Sequence, residues 1–425
     1  MIFSHTAALP DPKKTPSLGR ILLFSYAFPP MQVQMTPAVF KPMAALVRMG
    51  YDVDVVCADA FCNILPLDNS LLPATETLFP NITRLNPPPR LIGKHYSFYR
   101  TLSPITDLMG VLHKTAYRYL MDSDLQAYDA VMTWSPFHSI NPVMVKLKKH
   151  RPNIRWLAQF GDPWAGNPLE RRFPDMKNRL HQPRMVKAAD FIVHSSAYSL
   201  DLMMRGYGAD MRAKTTTIPH AFSEDLYPAR PKAKNEKITL RYVGVLYGRR
   251  SPESMFVALN QLLARRAELK DRLVIEFIGQ VDDAMFQTPA ALALPEGMLQ
   301  RVANVDYLTS LQLMYDADIL LLIEANVRQN LFLASKISDY MGTNNPMVGI
   351  VPPGASADIM TALCDWYASP LDCVGIARAL EGAIDHVLQG STAEWCNKEV
   401  RDGFNDKNIA QKFSSIIQTG SSPVV

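Results

Sequence analysis

Ser335, Lys336 and Asp339, in the stretch SKISDY, are residue types that could do chemistry on a phosphorylated ligand. Ser335 is a favoured helix N-cap, and a helix starting there is predicted to leave the amides of Lys336, Ile337 and Ser338 free at its positive end. With the Lys336 ammonium beside them, such a helix start suits a diphosphate. Asp339, one turn on, shares the face of Lys336 and could accept hydrogen bonds from ribose hydroxyls. The same two charges also read as an i,i+3 surface pair worth a few tenths of a kcal/mol. This segment by itself does not separate the two readings.

The elements that must position these residues are two short apolar runs, Ile319–Ile323 and Met347–Val351, with the length and β-branching of buried strands. Between them lie a polar loop and about two and a half turns of predicted helix, so the unit is β-loop-α-β. From Gly19 the chain opens with the same alternation, as a strand in GRILLFSYAFPP, a loop, an amphipathic helix ending at Gly50, and the strand YDVDVVCA. Further strands are predicted at Ala130–Trp134, Ile154–Phe160 and Phe191–His194, with helices near Pro142–His150 and Arg179–Ala188. After a polar, proline-bearing linker, His220–Lys237, the alternation restarts: strand Ile238–Val243, helix Pro252–Arg266, strand Leu273–Ile278, helix Ser310–Tyr315. Helices Cys373–Leu388 and Asn408–Ile417 follow. The expected fold class is α/β, with two doubly wound domains at 19–220 and 238–400 and a return helix at 405–420. Ligands in such sheets gather at the carboxyl ends of the strands.

The 425 residues, 48% of them hydrophobic, suffice for two or three cores. Five cysteines without C-x-x-C spacing argue against a disulfide framework or a zinc site, and a reducing cytoplasm is the expected compartment. No apolar run is long enough for a transmembrane helix, and the first twenty residues have no secretory h-region. A formal charge of +4 implies no nucleic-acid partner.

The order of short patterns resembles the GT-B fold glycosyltransferases, and within them family 4, the retaining enzymes that use nucleotide sugars. YAFPP (Tyr26–Pro30), GYDVDVVCA (Gly50–Ala58) and IPHAF (Ile218–Phe222) are similar to the family's first strand-loop, second strand and hinge-side turn. YVGVLYGRRSPESM (Tyr242–Met255), LVIEFIGQ (Leu273–Gln280), Val302–Glu324 and SKISDYMGTNNPMVGI (Ser335–Ile350) are similar to its carboxyl-terminal half, over roughly 380 residues in all. FGDPWAGNP (Phe160–Pro168) resembles a loop of a bacterial subgroup linked to polysaccharide and cell-surface glycan assembly.

The resemblance implies hexosyl transfer from a nucleoside-diphosphate sugar to a glycan or lipid-linked acceptor, without a metal or other cofactor. By position, Arg250 and Lys336 would contact the donor diphosphate, with Arg249 the neighbouring candidate. Ser335, Asp339, Tyr307 and Glu324 would complete the donor side, Asp339 on the ribose and Tyr307 near the base. Asp162 would orient a donor or acceptor hydroxyl, Trp164 would offer a stacking face, and Met31 and Gln32 would lie on the sugar or acceptor side. Two departures stand out: MQVQMTP (Met31–Pro37) lacks the glycines usual after F-P-P, and Leu331 stands where many members have a first acid. Asp162 reads equally as an Asx turn before Pro163, and Trp164 as loop packing. His138 and His220 are expected to be structural. Between Arg90 and Met121, five basic residues against the single acid Asp107, with interleaved tyrosines, read as a helix covering the sheet whose outer face could also meet an anionic membrane. The alternative to an enzyme is a catalytically weak partner of the same fold in a glycan-assembly complex.

Overall fold

The computed structural model describes residues 17–59, 65–87, 107–168, 170, 172–390 and 394–421. Two parallel sheets carry the chain. The first has the order β3-β2-β1-β4-β5-β6-β7. Its strands are β1 Gly19–Phe24, β2 Tyr51–Ala58, β3 Ile82–Leu85, β4 Ala130–Ser135, β5 Trp156–Phe160, β6 Phe191–His194 and β7 Thr215–Thr217. The second runs β10-β9-β8-β11-β12-β13, built from β8 Ile238–Val243, β9 Leu273–Ile278, β10 Leu299–Val302, β11 Ile319–Ile323, β12 Met347–Ile350 and β13 Tyr367–Ala368. In both sheets the order reverses beside the first strand, which opens a crevice at the carboxyl ends of the central strands.

The central strands are buried on both faces, as their largely apolar sequences require; every residue of β4, β5, β6, β11 and β12 is buried. One face of the first sheet is covered by the helices Met35–Met49 and Asp406–Thr419. The second of these returns from the far end of the chain, with Phe413 packed against Trp134 at 5.5 Å between ring centroids. The opposite face is covered by the helices His113–Asp122, Ile140–His150 and Arg172–Ala188. The last begins well before the Arg179 start that the apolar period predicts, because its first half turns apolar residues outward and polar ones inward.

The chain crosses between the domains twice, and the crossings lie side by side. Phe222 pairs with Asn405 in a short parallel bridge, its amide donating to Phe404 O (2.9 Å) and its carbonyl accepting from Asp406 N (2.8 Å). Any relative motion of the domains must pass through this one place.

Phe413→Ala should lower the stability of the amino-terminal domain by about 3–5 kcal/mol in urea unfolding, since it leaves a cavity in that core. A loss below about 1 kcal/mol would show that the returning helix is not an integral part of it.

Candidate functional site

The two domains face each other across a cleft of about 830 Å³. On the carboxyl-terminal side it is lined by the turns after β8 and β9 and by the first residues of the helices Tyr307–Tyr315 and Lys336–Thr343. On the amino-terminal side it is lined by Pro29–Lys41 residues and by Asp68. Seven residues singled out in the sequence meet there: Met31, Gln32, Arg250, Tyr307, Ser335, Lys336 and Asp339.

Two glycines shape one corner of the cleft. Gly244 ends β8 with φ +133°, and a Cβ there would lie 2.6 Å from the Lys336 ammonium. Gly279 ends β9 with φ +118°, and a Cβ there would collide with the Gly244 carbonyl. Both need glycine for their backbone angle and for their close approach. The absence of side chains lets Lys336 reach inward, where its Nζ donates to Tyr242 Oη (2.8 Å) and Val243 O (2.9 Å) and lies over the Tyr242 ring. Burial, and next the neighbouring Arg250 charge, pull the Lys336 pKa well below the usual lysine range. Arg250 carries a buried Nε with no hydrogen-bond partner, and among the described residues it forms no ion pair. Two cations are thus held together in a desolvated corner.

Asp339 is held from three directions. Lys41 Nζ, from the other domain, donates to Oδ1 at 2.6 Å; Tyr307 Oη donates to the same oxygen at 2.9 Å; and Tyr227 Oη donates to its backbone carbonyl at 2.7 Å. Lys41 is only 2% exposed. Burial, and then the Asp339 charge, push the Tyr307 phenol well above its usual pKa, so it serves as a donor throughout the physiological range. Gln34 Nε2 donates to Ser335 Oγ (3.1 Å), and Asp68 Oδ2 accepts from the Tyr307 amide (2.7 Å). The cleft is closed by these cross-domain contacts. Outside it, Ser196 and Ser199 both donate to Leu331 O.

The expected placements of Ser335, Arg249, Glu324 and Trp164 are corrected. Ser335 makes no side-chain cap and has helical backbone angles; the amides of Ile337 and Ser338 are taken by the carbonyls of Ala334 and Ser335. The helix therefore begins with a tight turn rather than a row of free donors. Arg249 is exposed in the turn after β8 and lies outside the cleft lining, its carbonyl accepting from Asn326 N. Glu324 lies buried beneath the site, accepting from Ser356 Oγ and Asn330 Nδ2 (2.6 Å each), with burial raising its carboxyl pKa. Trp164 presents no open stacking face: it is 4% exposed, stacked between His138 and His181, with Nε1 donating to Asn178. Asp162 is accessible to solvent at the end of β5 but is not part of the cleft lining. Crowding by the surrounding protein raises its carboxyl pKa. His138 and His220 are buried and held neutral, pulled to about 3 and about 4. The Arg90–Met121 segment lies partly outside the described residues; from Leu108 onward it packs Met109, Leu112 and Ala116 into the core while Lys114 and Arg118 face outward.

Sequence reasoning missed Lys41, Asp68 and Gln34, which reach Asp339, Tyr307 and Ser335 from the other domain. It also missed Gly244 and Gly279, although a glycine directly after each of two long apolar strands was a visible signal. Among the described residues no group of three or more His, Cys, Asp or Glu is placed to hold a metal ion.

Neither the scan against protein-family models nor the search of curated proteins returns a match. Solved structures do match. Anabaena Alr3699/HepE, in complex with UDP-glucose, is 13% identical with a TM-score of 0.64, covering 94% of this chain and 100% of that one. The trehalose-6-phosphate synthase OtsA is 13% identical with a TM-score of 0.62, over 94% of this chain and 99% of that one. A Rickettsia africae glycosyltransferase is 12% identical with a TM-score of 0.61, over 95% and 100%. The chain has the GT-B fold, two Rossmann-like domains facing a cleft.

Lys41→Met should open that cleft, because it leaves the Asp339 carboxylate buried without its cation and opening returns it to water. Small-angle scattering should show a larger radius of gyration than for the wild type. An unchanged profile would mean that the ion pair does not hold the domains together.

Proposed function

We propose that this chain transfers a hexosyl unit from a nucleoside-diphosphate sugar to a glycan or lipid-linked acceptor, with retention, in the cleft between its domains. The observation that carries the reading is the pairing of Arg250, with its unpartnered buried Nε, and Lys336, desolvated beside it, at the carboxyl ends of β8 and β9. Two adjacent cations, one of them desolvated and with Glu324 already engaged by Ser356 and Asn330, are complementary to a diphosphate. As the bond from the anomeric carbon to the diphosphate oxygen breaks, both would stabilise the charge gathering on the leaving group. The new bond forms to an acceptor hydroxyl, whose proton passes to an oxygen of the departing phosphate. Asp339, oriented by Tyr307 and Lys41, would accept from the ribose hydroxyls. The donors seen with the structural neighbours make UDP the first nucleotide to try, and the FGDPWAGNP loop favours a bacterial surface-glycan or polysaccharide setting.

A second reading, a catalytically weak nucleotide-binding partner in a glycan-assembly complex, is favoured by the glycine-free Met31–Pro37 loop lining the cleft. Donor hydrolysis above background, abolished by Lys336→Met in a folded protein, separates the two.

Calorimetric titration with UDP, GDP and ADP should find one that binds, with chelator making no difference. Lys336→Met and Arg250→Met should each weaken it by about 1.5–3 kcal/mol. Because burial lowers the apo Lys336 pKa, an anion beside it raises that pKa, so binding near or above the lowered value should take up protons and weaken as pH rises. Titrations in two buffers of different ionisation enthalpy measure this uptake. Binding lost to chelator and restored by manganese, or variants that bind like the wild type, would overturn the donor site.

A further inference from the structure

The helix Arg172–Ala188 has its polarity inverted over its first half. The side chains turned toward the protein there are polar, and they hold the loop after β5: Asp175 accepts from Gly166 N (2.5 Å), Asn178 from Trp164 Nε1 (3.1 Å), and Gln182 from Ala165 N (3.0 Å). The opposite face is apolar and open to solvent. Phe173 is 56% exposed, Met176 55% and Leu180 67%. Spaced three and four residues apart, they form one stripe along the helix. The stripe continues toward the carboxyl end as Arg184 and Lys187, both exposed, with Lys177 beside it over the Phe173 ring. A surface helix ordinarily turns such residues inward. Three large apolar side chains on the outward face of one helix are a patch that something covers.

The charge around the patch identifies the occupant. The three helices on this face, His113–Asp122, Ile140–His150 and Arg172–Ala188, carry ten Lys and Arg residues against two acids. Lys148 and Arg179 are paired with Asp190 and Asp175; Lys114, Arg118, Lys146, Lys149, Arg172, Arg184 and Lys187 are exposed. This local excess is larger than the +4 of the whole chain, so the rest of the sequence is net negative. A second copy presenting the same positive face would repel this one, whereas an anionic lipid surface attracts it and accepts the apolar stripe below its headgroups.

We propose that the face formed by these three helices docks on an anionic membrane, with Phe173, Met176 and Leu180 inserted at the interface and the surrounding Lys and Arg side chains on lipid headgroups. The inserted helix braces the Gly161–Asn167 loop, and Gly161 lies against Met35, whose neighbours Gln34 and Thr36 line the cleft. The docked face is therefore tied to the acceptor side of the cleft, so a membrane-presented acceptor would reach it over a short path.

Sedimentation of the full chain with vesicles of phosphatidylcholine, alone or mixed with phosphatidylglycerol, tests this without donor or turnover, so its failure would leave the nucleotide reading untouched. Binding is expected to the mixed vesicles only and to weaken with salt. Phe173→Ser/Met176→Ser/Leu180→Ser should lower it about tenfold, and Arg184→Glu/Lys187→Glu should make it fall further still at low salt. All five positions are exposed, so unchanged melting temperatures are expected and check that the variants fold. No binding by the wild type, or equal binding by the triple variant, would overturn the proposal. So would a wild-type dimer in light scattering that the triple variant dissociates, since the occupant would then be a second copy.

Discussion

The ion pair between Lys41 and Asp339 joins the two halves of this molecule inside the cleft that Arg250, Tyr307 and Lys336 also line. Removing two charges from water costs several kcal/mol per ion, and their attraction offsets this only when the geometry is good and further hydrogen bonds are made. At 2.6 Å, with Tyr307 on the same oxygen, those conditions are met in the closed cleft. They are not met in an open one, where both groups would be hydrated and 298 residues of chain separate them. Closure and the state of the Asp339 carboxylate are consequently one equilibrium. A ligand whose hydroxyls bind Asp339 acts on that equilibrium only through its different affinity for the open and closed forms.

The neighbouring corner follows a different rule. Arg250 and Lys336 are brought together against their mutual repulsion, and Gly244 and Gly279 clear the space beside them by keeping side chains away. Such an arrangement is destabilising in the empty protein and becomes favourable when an anion enters, which is how a site is pre-organised. Glu324 lies below, already satisfied by Ser356 and Asn330. It moderates the charge without filling the cleft.

Much of this was legible in the chain. Strands buried on both faces are continuous apolar runs, and β1, β8, β9 and β11 could be read directly. The edge strands β7 and β10 could not, since Thr215–Thr217 is half-buried and Leu299–Val302 largely exposed, leaving no alternation or apolar run to see. The inverted first half of Arg172–Ala188 escaped for the related reason that its period points away from the core. Lys336, Arg250 and Asp339, which line the cleft, could be singled out because they lie within one domain, in segments that resemble a known pattern. Lys41 was missed because its helix, taken alone, places a lysine on a surface; only the opposite domain makes that surface an interior. Ser335 shows the converse: it is a good capping residue by type, but tight local turns and Gln34 use the groups that capping would have used.

In the proposed function the Arg250–Lys336 corner holds a diphosphate while Asp339 holds the ribose of the same molecule, and a crystal structure of the chain with the bound nucleoside diphosphate would test this. The expected result is a phosphate oxygen within hydrogen-bond distance of both Arg250 Nε and Lys336 Nζ, with a ribose hydroxyl on Asp339. A nucleotide bound elsewhere, or one whose phosphates leave Arg250 Nε unpartnered, would contradict it.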